Sequence, residues 1–169
     1  MAEKLKILAE KVKQIEAEIE EINKIYDDLE RELDKIAEEY KFKKVATLRS
    51  VGNYWSFRKE FEASYEVTYM KKPKEVELYI DARRETPISL KASLVLEDPK
   101  RGKFWTSITY EVKDLESLRD VFRRIDERLE LDILEKNFRG LRIPNLQNDQ
   151  VVPFLQSLIR HALLTNDLG

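Results

Sequence analysis

The sequence predicts an α+β fold: an N-terminal coiled-coil helix, then an antiparallel β-meander of four to five strands covered on one face by two C-terminal helices. Three observations carry this expectation. Apolar residues recur at alternating spacings of three and four from Leu5 to Tyr40. From about residue 54 the apolar period drops to two and stays there to Val112 across short polar connections. After Asp114 the helical spacing returns.

The first element is written by Leu5, Leu8, Val12, Ile15, Ile19, Ile22, Tyr26, Leu29, Leu33, Ile36 and Tyr40, with no Gly or Pro among them. A stripe two residues wide in seven marks a coiled-coil seam, whereas a helix lying on a globular core carries a wider one. At about 1.5 Å per residue the seam runs roughly 54 Å, and an isolated seam would stand in water. The expectation is an oligomerisation helix over residues 1–40 and an α+β globular domain over 41–169. The opposing reading folds the arm back onto the chain's own C-terminal helices. Val12 and Ile19 suit a parallel dimer, while Ile15, Ile22 and Ile36 tilt toward higher order. Flanking positions are mostly acidic (Glu16, Glu18, Glu30, Glu32 and Glu39 around Lys11). A homodimer is the first expectation, with a hetero-partner carrying a basic helix as the alternative.

The strands follow. In YWSFRKEFEASYEVTYM (54–70), Trp55, Phe57, Phe61, Ala63, Tyr65, Val67 and Tyr69 share one parity and polar residues the other, with Lys59 the exception. On a helix these aromatics would point all round, and on a strand they share a face. Seventeen residues would extend roughly 56 Å, so a bend or bulge near Lys59, or two successive strands, is expected. Alternation recurs in 75–83 (Val76, Leu78, Ile80, Ala82), 88–97 (Ile88, Leu90, Ala92, Leu94, Leu96) and 103–112 (Phe104, Thr106, Ile108, Tyr110, Val112). A weaker strand, 43–51, is joined to the long one through Gly52-Asn53, a two-residue hairpin signal. Short connections imply antiparallel neighbours. Asp114 then caps a helix over 115–136 carrying Leu115, Leu118, Val121, Phe122, Ile125 and Leu129. Beyond a loop whose Leu141, Ile143 and Leu146 tuck onto the core, a last helix over 150–164 carries Leu155, Leu158, Ile159, Ala162 and Leu163.

Composition narrows the chemistry. Of 169 residues, 42% are hydrophobic and 38% charged, against about 25% charged in typical domains. The absence of Cys excludes thiol catalysis, disulfides and Cys-based metal sites. High Lys and Glu content is thermophile-like. No apolar run approaches a membrane span and MAEKLKILAEK lacks the apolar centre of a signal peptide, so a cytoplasmic location is expected. His161 is the sole His and reads as an ordinary helix-surface residue. Four scattered Gly supply no phosphate-binding loop, and no Ser or Thr has a base placed to activate it. No catalytic residue, metal ligand, cofactor or small-molecule substrate is expected, and the chain reads as a non-enzyme.

Charge is unevenly distributed. Residues 1–40 hold 7 Lys/Arg and 13 Asp/Glu, while the remainder holds 24 and 20, so an acidic arm meets a mildly basic body. Alternate turns of a meander lie at one end of its sheet. Lys41, Lys43, Lys44, Lys71, Lys72, Lys74, Lys100, Arg101 and Lys103 are therefore expected to converge on a rim beside the root of the arm, with Trp105 next to it on the polar face. Such a rim would take anions or nucleic-acid backbones irrespective of sequence. The opposing reading is that hairpin tips carry Lys to stay wet and avoid edge pairing. The sheet's polar face is acidic (Glu60, Glu62, Glu66, Glu75, Glu77, Asp81, Glu97, Glu111) and is no platform for single-stranded RNA.

A helix, a meander and two closing helices is the element order of the RWD domain, and a coiled coil leading into one resembles outer-kinetochore subunits. The segment NDQVVPFLQSLIRHALL is similar to the closing helix of one such subunit family. The resemblance covers most of the chain at the level of architecture and implies a non-enzymatic interaction module. The functional expectation is a self-associating scaffold or adaptor, with a nucleic-acid-binding protein using the rim as the competing class.

Overall fold

The computed structural model describes residues 2–53, 61–82, 84, 88–98 and 102–135, together with the helical residues Pro153, Gln156, Ser157 and Arg160. Among these residues the elements with described bounds are, in order, α1 (Ala2–Glu39), β1 (Lys43–Asn53), β2 (Phe61–Lys71), β3 (Lys74–Asp81), β4 (Ile88–Asp98), β5 (Gly102–Glu111) and α2 (Leu115–Glu135). The strands form one antiparallel sheet in the order β1-β2-β3-β4-β5. The fold is therefore α+β with an antiparallel meander, as the alternation predicts.

Parity decides which face is buried. On β2, Ala63, Tyr65, Val67 and Tyr69 are each 1% exposed or less, and the even-numbered residues between them face outward. Val76, Leu78 and Ile80 of β3, and Leu90, Ala92, Leu94 and Leu96 of β4, continue the same layer across paired positions such as Val67↔Leu78 and Leu78↔Leu90. On β5 the inward set holds Ile108, with Val112 just beyond the strand.

Two sequence expectations need correction here. Gly52-Asn53 is not the β1–β2 turn: both residues are in β1, paired with Glu62 and Phe61. A two-residue loop is incompatible with that register, and the connecting residues 54–60, including the expected bend near Lys59, lie outside the described residues. The described part of the long strand is Phe61–Lys71. The cover of the sheet also differs. Helix α2 packs on β3, β4 and β5, but the β1–β2 half is covered by α1. Tyr26, Leu33, Ile36 and Ala37 of α1 are 3% exposed or less and belong to the same core as Phe122 and Leu118 of α2. Each such side chain contributes about 1.5–3 kcal/mol of burial if large and aliphatic. The expected closing helix over 150–164 falls mainly outside the described residues, as do Leu141, Ile143 and Leu146.

Helix boundaries have local causes. Helix α1 stops in a Schellman motif: Phe42 N–H donates to Ala37 O (2.8 Å) and Lys41 N–H to Glu38 O (3.0 Å). Lys41 takes the left-handed conformation the motif demands, at φ 62°. Phe42 is thereby turned inward onto Phe122, edge to face at 5.5 Å. Helix α2 starts as predicted at Asp114, whose carboxylate accepts Ser117 N–H at 2.7 Å. The Ser117 hydroxyl and then its backbone N–H hold the Asp114 carboxyl below its usual range. Helix α2 is interrupted at Arg128 (φ −149°, ψ 20°) yet continues to Glu135. Leu129, Asp132 and Ile133 beyond the interruption face inward while Leu131 is 52% exposed, so the Leu129–Leu131–Ile133 alternation is helical.

Candidate functional site: the projecting helix and the lysine rim

The environment of helix α1 changes along one face. From Tyr26 onward its stripe faces the sheet. Toward the N-terminus the stripe comes out into solvent: Leu5 is 64% exposed, Leu8 58% and the neighbouring Ile7 53%. Ile19 is half-buried and Ile22 packs against the edge of the core. The seam expected from Leu5 to Tyr40 is thus divided. Tyr26, Leu33 and Ile36 are core residues of their own chain, with Leu29 and Tyr40 partly buried beside them, and these five are not available to a second helix. Leu5, Leu8, Ile19 and Ile22 lie on the other half, together with sequence positions 12 and 15 of the same helix.

The root of the projecting half is held by Arg49, a residue the sequence reading passed over. Its guanidinium sits 5.7 Å from the Tyr26 ring and 5.6 Å from the Tyr65 ring, and those two rings stack at 5.7 Å. Nη1 donates to Asp27 Oδ1 (2.8 Å) and to Asn23 O (3.4 Å), and Nη2 to Glu30 Oε2 (3.1 Å). One turn along, Lys44 Nζ bridges Glu30 and Asp34, both at 3.0 Å, and Tyr69 donates its hydroxyl to Asp34 Oδ1 at 2.9 Å. Burial, then that hydrogen bond to a carboxylate, pushes the Tyr69 phenol well above its ordinary range. Arg49 shares strand parity with Thr47 and Val51, which was the signal that it faces the helix.

The topology does bring the three lysine groups to one end of the sheet, since Lys43↔Met70, Lys71↔Lys74 and Asp98↔Gly102 are paired there. Among the described residues the charges at that end are divided between exposed positions and ion pairs. Lys71 and Lys74 share the inward parity of Tyr69 and Val76. Lys71 Nζ contacts Asp126 and donates to Tyr40 O at 3.2 Å. Lys74 is 6% exposed; its Nζ lies 3.1 Å from Glu130 Oε2 and also donates to Asp126 O. Both fasten α2 to the β2–β3 hairpin. Lys44 is engaged with α1, and Lys103 is 3.3 Å from Glu97. Lys41, Lys43 and Lys72 are exposed, and Lys100 and Arg101 lie outside the described residues. Trp105 is 61% exposed on the outer face, as its parity predicts.

An open cleft of about 490 Å³ lies between the end of α1 and the start of β1, with Asp34, Phe42 and Tyr69 in its wall. Its Asp34 and Tyr69 are hydrogen-bonded to each other. On the outer face Glu75 and Glu77 crowd one another: burial and then the Glu77 neighbour raise the Glu75 carboxyl, while Lys91 offsets part of the effect. On α2, Asp132 is buried and accepts from Arg124 Nε (2.7 Å) and Arg128 Nε (2.8 Å) of the same helix and from the Tyr110 hydroxyl of β5 (3.1 Å). This group of contacts spans the interruption in the helix. Burial opposes ionisation of Asp132, but the hydrogen bonds from Arg124, Arg128 and Tyr110 outweigh it and hold the carboxyl below its usual range. Burial and then Asp132 push the Tyr110 phenol up to about 12. Among the described residues no helix is long and apolar enough to cross a membrane. Comparison of the chain with protein-family models, with curated proteins and with solved structures finds no match.

Proposed function

We propose that this protein is a non-enzymatic association module, a scaffold or adaptor that self-associates through the projecting half of α1 and holds its α+β body at the root of that helix. The observation that carries the reading is the contrast along one helix face: Tyr26, Leu33 and Ile36 are 3% exposed or less, while Leu5 and Leu8 are 64% and 58% exposed. A face that continues its apolar spacing after leaving the body is a face made for another helix. The Arg49 and Lys44 contacts support the same reading, because they hold the root and so present the stripe in a set direction. The likeness of element order to RWD-domain subunits, which are interaction modules, is consistent with it.

Light scattering on the full chain tests the proposal. At ~100 µM, well above the dissociation constants of specific complexes, the chain is expected to be at least a dimer. Leu8→Asp with Ile19→Asp is expected to be monomeric, because it places charges in a desolvated seam. A wild-type monomer at that concentration overturns self-association and leaves a separate partner helix as the occupant.

A further inference from the structure

We infer that the second copy lies antiparallel along α1, with residue 5 of one helix opposite residue 22 of the other. The inference rests on the self-association reading and adds the orientation and register of the pair, which three independent features determine.

The first is space. The face that carries Leu5, Leu8, Ile19 and Ile22 is the face that β1 and β2 cover from the edge at Ile22 onward. A parallel partner would run alongside residues 23–39 on that same side, where this chain's own sheet already lies, and would carry its own sheet into the same volume. Both helices would have to splay apart at Ile22, and α1 is an unbroken helix from Ala2 to Glu39. An antiparallel partner points the other way, and its own body sits at the far end of the pair.

The second is charge. Between residues 2 and 13 stand Lys4, Lys6, Lys11 and Lys13 against Glu3 and Glu10; between 14 and 22 stand Glu16, Glu18, Glu20 and Glu21 with no base. Parallel pairing sets the basic end on the basic end and the acidic end on the acidic end. Antiparallel pairing sets each basic end along the partner's acidic one, and position 11 comes beside position 18 of the partner. Like charges brought close cost energy and opposite ones gain it, so complementarity selects orientation even where each pair is worth little.

The third is the composition of the layers. With 5 opposite 22, positions 8 and 19 also face each other, as do 12 and 15, and all six seam positions find partners. Each layer then combines one Ile with a Leu or a Val. The parallel alternative stacks Ile on Ile at both Ile15 and Ile22, the second seam position, where Ile disfavours a parallel dimer. The same register brings the stem of the partner's Lys4 to Ile25, which is 51% exposed at the root of the helix and is left bare by a parallel pair. Long Lys stems cover apolar surface while the ammonium stays in water.

The chain has no Cys, so Lys4→Cys gives a single attachment point for a spin label at an exposed position, and the label-to-label distance in the full-length protein reads the orientation. Antiparallel pairing in this register separates the two labels by roughly 28 Å along the axis, at about 1.5 Å per residue. Parallel pairing puts them roughly 10 Å apart, the usual spacing between packed helices. A second arm mixes Lys4→Cys chains with Ile25→Cys chains under mild oxidation, and the expected product is the mixed 4–25 disulfide. A dimer with the short distance, or with 4–4 disulfides, overturns the orientation and leaves self-association standing. A dimer showing neither distance nor the mixed disulfide overturns the register. A monomer by light scattering removes the reading on which the inference rests.

Discussion

Lys74 separates a structural use of the lysine-rich hairpin from an anion-binding use, because the two uses predict opposite results for one substitution. The β2–β3 turn residues 72 and 73 lie between paired Lys71 and Lys74, and a lysine at such a tip is ordinarily wet. Lys74 is instead 6% exposed, with its ammonium 3.1 Å from Glu130 Oε2 and donating to Asp126 O. Lys74→Met keeps most of the stem and removes the charge. It leaves the Glu130 carboxylate, whose side chain is 19% exposed, without its cation, and leaves a helix carbonyl short of a donor. Removing one partner of a buried ion pair costs about 3–5 kcal/mol; the residual water access of Glu130 brings the expected loss to about 2–4 kcal/mol. Urea unfolding measures it, as a fall in the midpoint at constant slope. Glu130→Gln in the Lys74→Met background is expected to recover about 1–3 kcal/mol of that loss, which is the coupling between adjacent residues. A loss below about 0.5 kcal/mol, the ordinary effect of a surface substitution, refutes the staple and returns Lys74 to the rim.

Three further outcomes are expected. Arg49→Met costs about 1–2 kcal/mol through its lost ring contacts and charged hydrogen bonds; amide exchange is expected to rise first around Asn23–Tyr26, and an unchanged exchange pattern there contradicts the clamp. Lys41→Gly relieves a left-handed conformation at the α1 cap and raises stability by about 0.5–1 kcal/mol; a lower melting temperature contradicts the Schellman geometry. The Glu75 carboxyl is raised, so the native state holds its proton more tightly than the unfolded chain does and is penalised once pH rises through the raised value. Glu75→Gln therefore stabilises by a few tenths of a kcal/mol at pH 7 and has no such benefit at pH 4; equal effects at both pH values refute the crowding with Glu77.

Much of the fold was legible because a period of two has few explanations. Tyr65, Val67 and Tyr69 on one parity, repeated by Val76, Leu78 and Ile80, specify a sheet with one buried face, and Asp114 announces α2 through an ordinary cap. The use of α1 was not legible, because spacings of three and four serve a coiled-coil seam and a core-facing stripe equally. What separates them is the partner surface, here the inner face of β1 and β2, and no local pattern encodes it. Ala37 beside Ile36 does widen the stripe, but Ala9 beside Leu8 is placed alike and is exposed, so the signal does not discriminate. Lys71 and Lys74 carried their own clue in sharing parity with Tyr69 and Val76. Turn chemistry points the other way, since lysine at a tip is normally solvated. Gly52-Asn53 misled for a related reason: a dipeptide favoured in tight turns also fits the end of a strand when the register places the turn farther on.

Domain boundaries usually fall in exposed, flexible linkers where few contacts cross. Here the change from core to outward-facing surface occurs within the continuous turns of α1, between Ile19 and Tyr26, with no Gly or Pro to yield. Cutting the chain after Tyr40 would therefore not release a body; it would strip Tyr26, Leu33, Ile36 and Ala37 from the sheet and bare Tyr65, Val67 and Tyr69 to water. The same continuity denies the molecule a swivel. Whatever grips the first half of the helix acquires a stiff handle whose other end is built into the core, so a tilt applied at Leu5 arrives as a torque on β1 and β2.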